Sequence, residues 1–157
     1  SPKRQRTYLQ ALRKQQPQKV TIIKGKMIAA TPFSRLVEPV IDAPHINKVK
    51  VYSFEEKQSD VNMAVDMVIS ALTGTCEQIV VCSNDSDLKA AFMRIKQYAP
   101  QIRLGLVAPI KNEDSRAISK DLSQYATWSK VLSAVHLANA QLPDKIHSTS
   151  IRKPDTW

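Results

Sequence analysis

A chain of 157 residues that is 43% hydrophobic and holds only 3 glycines has the size and apolar content of one globular domain, which excludes a disordered or low-complexity chain. Its 23 Lys and Arg against 14 Asp and Glu leave a net charge of +9, a balance that favours polyanionic partners, nucleic acid first. No apolar run approaches about 18 residues and no signal peptide opens the chain, so a soluble cytoplasmic protein with no membrane partner is expected.

The charge is unevenly placed. Residues 1–26 carry Lys3, Arg4, Arg6, Arg13, Lys14, Lys19, Lys24 and Lys26 without one acid. Such a field either binds nucleic acid through its phosphates or is a solvated basic arm, and both readings stay open here. Aromatic residues are too few for a base-stacking platform. Within this region Thr7–Gln16 predicts a short helix that Pro17 ends, and Val20–Ile23 predicts a strand before a turn at Gly25. Residues 31–44, with Pro32, Pro39 and Pro44, suggest an irregular excursion. Val49–Phe54 alternates cleanly and predicts a strand.

The longest apolar helix is expected over about 59–73, stopped by Gly74. Asp60 falls in its first turn, on one face with Met63, Ala64 and Met67, so it is expected to turn toward the core side. Asp66 lies deeper in the same apolar run. Glu56 and Lys57, just before the helix, are candidates for pairing with neighbouring charges.

Ile79–Cys82 is a continuous β-branched run that predicts a strand buried on both faces, with Cys82 as a small core residue. Cys76 and Cys82 lack metal-ligand spacing. Ser83 and Asn84 follow the strand, then Asp85 and Asp87, and a helix is predicted from about Ser86. Acids placed beyond the carboxyl end of a strand lie where open parallel sheets bind ligands. Two carboxylates so close form a hard-oxygen pair suited to Mg²⁺ or Mn²⁺. One of them could equally be a helix cap, with the other complementing the helix dipole.

Further strands are predicted at Ile102–Val107 and, as strand or extended segment, at Trp128–Leu132. Pro109–Ser115 reads as a polar loop, Ile118–Tyr125 as a short helix and Ser133–Leu142 as another. His45, His136 and His147 show no ligand spacing. Alternation of strand and helix at roughly 25 residues indicates βαβ crossovers. The expected fold is therefore α/β, a mostly parallel sheet with helices on both faces in three layers. Residues 1–142 are taken as the domain and 143–157 as an extended tail.

Glu55–Met67 together with Ser83–Asp87 resembles the NYN domain, a branch of the PIN-like nucleases. Those domains typically show an E-K-x-x-D-V-x-x-A-x-D-M helix start and an S-x-D-S-D loop one strand later. The likeness covers residues 55 to about 107. It implies a metal-dependent nuclease acting on RNA with Mg²⁺ or Mn²⁺. Carried over residue by residue, Asp60 and Asp85 would be metal ligands, and Asp87 a ligand or the group that positions the attacking water. Asp66 would be a supporting acid. Ser83 and Asn84 would face substrate or water, and the basic residues Lys57, Arg13, Lys14, Lys24 and Lys26 are candidate contacts to the substrate backbone. The family's first strand, which ends in an acid, has no counterpart before residue 20, and Asp42 lies in a proline-rich stretch. An N-terminal segment of several tens of residues is expected to precede this chain.

Two alternatives belong beside this one. A non-catalytic RNA-binding or scaffold module would keep the fold and lose the acid cluster. A haloacid-dehalogenase-type phosphohydrolase would explain Asp85-x-Asp87 after a strand, but that motif belongs on the first strand and Leu88 follows the second acid here. A homodimer or protein partner is left open.

Overall fold

The computed structural model describes residues 2–109 and 117–155. The chain divides into two compact units, Ile23–Met63 and a larger one of Ser1–Ile22 with Ala64–Trp157.

The larger unit holds the parallel sheet. Strands β5 (Gln78–Cys82), β6 (Arg103–Ala108) and β7 (Trp128–Val131) are hydrogen-bonded in that order, each parallel to the next. Strands β1 (Lys26–Ala30), β2 (Phe33–Arg35), β3 (Lys48–Lys50) and β4 (Ser53–Lys57) belong to the smaller unit. Helix α3 (Lys89–Tyr98) crosses from β5 to β6, and the short α4 (Lys120–Ser123) lies between β6 and β7. A parallel pair requires such a crossover, because a tight turn can join only antiparallel strands. Central β6 is buried at Leu104, Gly105, Leu106 and Ala108. With Val81, Leu88, Phe92, Ile95 and Leu122 these side chains form the core. Gly105 stands opposite Trp128, and a Cβ there would overlap the indole ring. Thr127 extends the ladder below β7, its Oγ1 accepting from Leu104 N–H at 3.0 Å.

β5 sits at the edge of this sheet. Val81 is buried, but Val80 is 49% exposed and Cys82 is exposed. The expected burial on both faces, and a core role for Cys82, are therefore corrected. A β-branched run carries the signature of a buried strand, but burial needs neighbours on both edges as well as both faces.

The expected helix is α2 (Ser59–Leu72), which runs from the smaller unit into the larger. It buries Met67 and Ala71 and leaves Val61, Val65, Ile69 and Leu72 largely exposed. Gly74 at φ +64° ends it, and Thr75 N–H reaches back to Ser70 O at 3.3 Å, the long closing bond of a Schellman turn. Helix α1 (Pro2–Gln15) begins five residues earlier than the apolar spacing suggests. A proline suits the first helical turn, where its missing N–H has no partner to lose. The segment after α5 (Ala134–Asn139) folds back on itself, with Ile146 buried and its N–H bonded to Ile151 O at 3.1 Å. Residues 110–115 of the expected polar loop lie outside the described residues, as do the last two of the tail.

The smaller unit is built of two antiparallel ribbons. β1 (Lys26–Ala30) pairs with β4 (Ser53–Lys57), and β2 (Phe33–Arg35) with β3 (Lys48–Lys50). The expectation of a mostly parallel sheet holds for the three-stranded sheet β5-β6-β7, and the other strands pair as antiparallel ribbons. The strand expected at Val20–Ile23 does not form; the strand lies at 26–30 instead. The alternating run 49–54 is divided between β3 and β4. A strand exists where a partner ladder is available, and β4 offers its ladder to Lys26–Ala30.

Candidate active site

β5 ends at Cys82, and the next five residues form a fixed loop. Asp85 is extended (φ −85°, ψ 119°), and its Oδ1 accepts from the Asp87 N–H at 3.0 Å, which caps the 3-10 turn Ser86–Leu88 ahead of α3. Ser83 Oγ accepts from Asp85 N–H at 3.1 Å, leaving the hydroxyl proton free to donate. Capping occupies one carboxylate oxygen of Asp85 and leaves Oδ2 outside the turn. Asp85 and Asp87 are both exposed. The cap and the ligand readings are therefore compatible, since they use different oxygens.

Asn84 does something the sequence did not signal. Its Oδ1 accepts from Ser119 N–H at 2.7 Å, and its Nδ2 donates to Ala117 O at 3.2 Å. One carboxamide thus ties the β5 loop to the segment before α4. Only a side chain with both an acceptor and a donor can make this pair of bonds. Close by in sequence, Lys89 forms an ion pair with Asp121 at 2.5 Å, joining α3 to α4. The hydrogen bond and charge of Asp121 push the Lys89 ammonium pKa above its ordinary value.

The smaller unit carries Lys57, Asp60, Lys24 and Lys26, and the larger carries Asp66, Arg13 and Lys14. Asp60 lies in the first turn of α2 and is exposed, which corrects the expectation that it turns toward the core. The helical spacing is sound, but burial fades along that stripe: Met67 is buried, Met63 and Ala64 are half-buried, and Asp60 is exposed. Asp66 is also exposed. Lys57 pairs with Glu55 at 2.6 Å, and this hydrogen bond raises the lysine pKa and lowers that of the carboxyl. Glu56 Oε1 accepts from the Ser59 hydroxyl at 2.6 Å.

Two residues here escaped the sequence argument. Gln58 takes φ +80°, a left-handed conformation that costs a non-glycine residue on the order of 1–3 kcal/mol, and its carbonyl receives the Asn62 N–H at 2.8 Å. It makes the sharp passage from β4 into α2. No residue-type signal marks it. Gly25 packs against the same corner: a Cβ would overlap Glu56 Oε1 and Ser59 Oγ and stand 2.7 Å from the Lys57 carbonyl. Its glycine is legible as a turn, but not as a close approach to this segment.

Arg13, Lys14, Lys24 and Lys26 are all exposed. His136 serves its own helix, exchanging capping bonds with Ser133 at the start of α5. Among the described residues no three His, Cys, Asp or Glu side chains gather into a group that could hold a metal ion. Magnesium keeps several waters and is commonly held by one or two carboxylates, so the exposed oxygens of Asp85 and Asp87 suit a water-rich ion of that kind. No helix among the described residues is long and apolar enough to cross a membrane.

Comparison with known proteins adds an independent line. A curated protein of Pseudomonas putida (strain DSM 28022 / S16), named 6-hydroxy-3-succinoylpyridine 3-monooxygenase HspA, is 30% identical over 158 residues, covering 98% of this chain. The chain spans 50% of that relative's length. No solved structure matches the chain. The profile of the NYN domain matches residues 2–129, a span that includes both α2 with its acids and the loop after β5. The match supports a nuclease-like fold for the chain. The chain belongs to the NYN domain family.

Proposed function

We propose that this chain carries acidic residues of a metal-dependent ribonuclease. The observation that bears most weight is the loop after β5. There a parallel strand delivers Asp85 and Asp87 to the surface, with one Asp85 oxygen fixed by the cap and the other uncommitted. Asp85 and Asp87 would hold Mg²⁺ or Mn²⁺ together with its waters, while the roles of Asp60 as a ligand and Asp66 as a supporting acid rest on the family resemblance alone. The bound ion would supply a water acidic enough to ionise near neutral pH and neutralise charge on the leaving oxygen. The protein's own part is positional. The cap holds the Asp85 carboxylate in one rotamer, Asn84 holds the loop, and Ser83 keeps a proton to donate to a phosphate oxygen or water. Lys57 would reach substrate by exchanging Glu55 for a phosphate. The exposed cations of residues 13–26 would draw in the RNA backbone by charge, without reading its sequence.

The test is cleavage of single-stranded RNA by the full-length protein with Mn²⁺. Asp85→Asn retains an oxygen for the cap but removes the charge that the metal needs. Its rate should fall by about 100-fold or more, equivalent to about 2.7 kcal/mol of barrier, with an unchanged unfolding temperature. Unchanged cleavage would make the acids structural caps, and RNA binding without any cleavage would favour the scaffold role.

One observation favours a second reading: the relative's name describes a monooxygenase of a substituted pyridine. Oxygen-dependent conversion of 6-hydroxy-3-succinoylpyridine by this protein, unaffected by Asp85→Asn, would replace the nuclease proposal.

A further inference from the structure

Away from the β5 loop, the larger unit encloses a cavity of about 230 Å³ between α1 and the segment after α5. Ala11 of α1 and Ile146 of the folded-back segment, both buried, form part of its lining. Tyr8 and Leu137 also line it, yet remain 43% and 53% exposed. Apolar surface left open inside a concavity is surface that a ligand can still remove from water.

The polar part of the lining is lopsided. Arg152 and Lys153 both contribute. Their acidic neighbour is Asp144, whose Oδ1 lies 3.9 Å from Lys153 Nζ and whose side chain is 90% exposed. Among the described residues Arg152 makes no ion pair. Two cations against one distant carboxylate leave one positive charge uncompensated at a cavity whose other lining is apolar apart from the neutral Thr7 and Gln141.

We infer that this cavity binds a small apolar monocarboxylate, of single-ring size. The volume lies below the roughly 300 Å³ at which sites for larger ligands begin. A single uncompensated charge matches a monoanion better than the dianion of a phosphomonoester. The Arg152 guanidinium offers a planar fork suited to two carboxylate oxygens, and the apolar body would lie against Tyr8, Ala11 and Leu137. Nothing in this argument uses Asp60, Asp85 or Asp87, so it stands apart from the nuclease proposal.

The experiment is a calorimetric titration of the full-length protein with 3-phenylpropionate and with its uncharged amide. Saturable one-to-one binding is expected for the acid, with the amide at least tenfold weaker. Arg152→Gln, an exposed change that leaves the apolar walls intact, should weaken the acid at least tenfold and leave the amide unaltered. Ala11→Leu should fill the cavity and abolish binding of both. Equal affinity for acid and amide, unchanged affinity in Arg152→Gln, or no saturable binding would overturn the assignment. Tighter binding of a nucleoside monophosphate than of the acid would overturn it in favour of a nucleotide site.

Discussion

Asn84 shows how much one side chain can decide. Both ends of its carboxamide are engaged, by Ser119 N–H and by the Ala117 carbonyl. Asn84→Ala would leave the part-buried Ser119 N–H without that acceptor, at a cost of about 1–3 kcal/mol. The loop bearing Asp85 would loosen. The expected result is a lower urea midpoint and a lower cleavage rate with RNA affinity retained; a loss of affinity alone would mean that Asn84 contacts substrate directly. The neighbouring Lys89–Asp121 pair behaves differently. Its hydrogen bond and charge raise the Lys89 pKa, so its contribution is fully present below the ordinary lysine pKa, about 10.4, and is lost as pH rises through the higher folded value. The stability difference between the parent and Lys89→Met should therefore stay flat from about pH 6 to 9 and shrink only in strong alkali. Urea unfolding at several pH values measures it.

At the scale of elements, β6 is the strand around which the larger unit packs, and Gly105 is where β7 comes closest to it. Gly105→Ala would drive a methyl into the Trp128 ring. Overpacking of this kind costs about 1–3 kcal/mol, and the melting temperature should fall accordingly. Pairing it with Trp128→Leu should recover part of the loss, since the ring is the obstacle. Gly105→Ala as stable as the parent would mean that β7 can retreat from β6. Helix α2, β5 and β6 were legible because each carries a long period, helical or β-branched, within one stretch of chain. The ribbons β1–β4 and β2–β3 were not, since their partners lie 13 to 31 residues apart and the alternating run 49–54 does not show that it divides between two strands. The exposure of Val80 and Cys82 was likewise hidden, because local sequence does not say which strand ends at an edge.

For the whole molecule, the proposed RNA binding by charge rests on cations from both units. Arg13 and Lys14 belong to the larger unit, Lys24 and Lys26 to the smaller, and all four are exposed. If about five cations touch phosphates of a single strand, log K should fall with log salt at a slope near about −3.5. Replacing all four by Ala should flatten the slope and weaken all RNAs alike, and replacing each pair separately shows which unit contributes. Equal slopes in the parent and the fourfold variant would end the claim. The primary structure by itself determined the chemistry on offer: the basic first 26 residues, the acids at 60, 66, 85 and 87, and the spacing that marks the NYN family. Those features are local, set by residue type and short-range period. Tertiary structure alone decided that one oxygen of Asp85 is spent on a cap, that Asn84 is a clamp, that Asp60 is exposed, and that a charged apolar cavity forms beside α1. Apart from the Asp85 cap, which joins residues two apart, each of these depends on which distant segments meet. Pairing at long range follows from packing and hydrogen-bond satisfaction across the fold, and no short stretch of sequence encodes it alone.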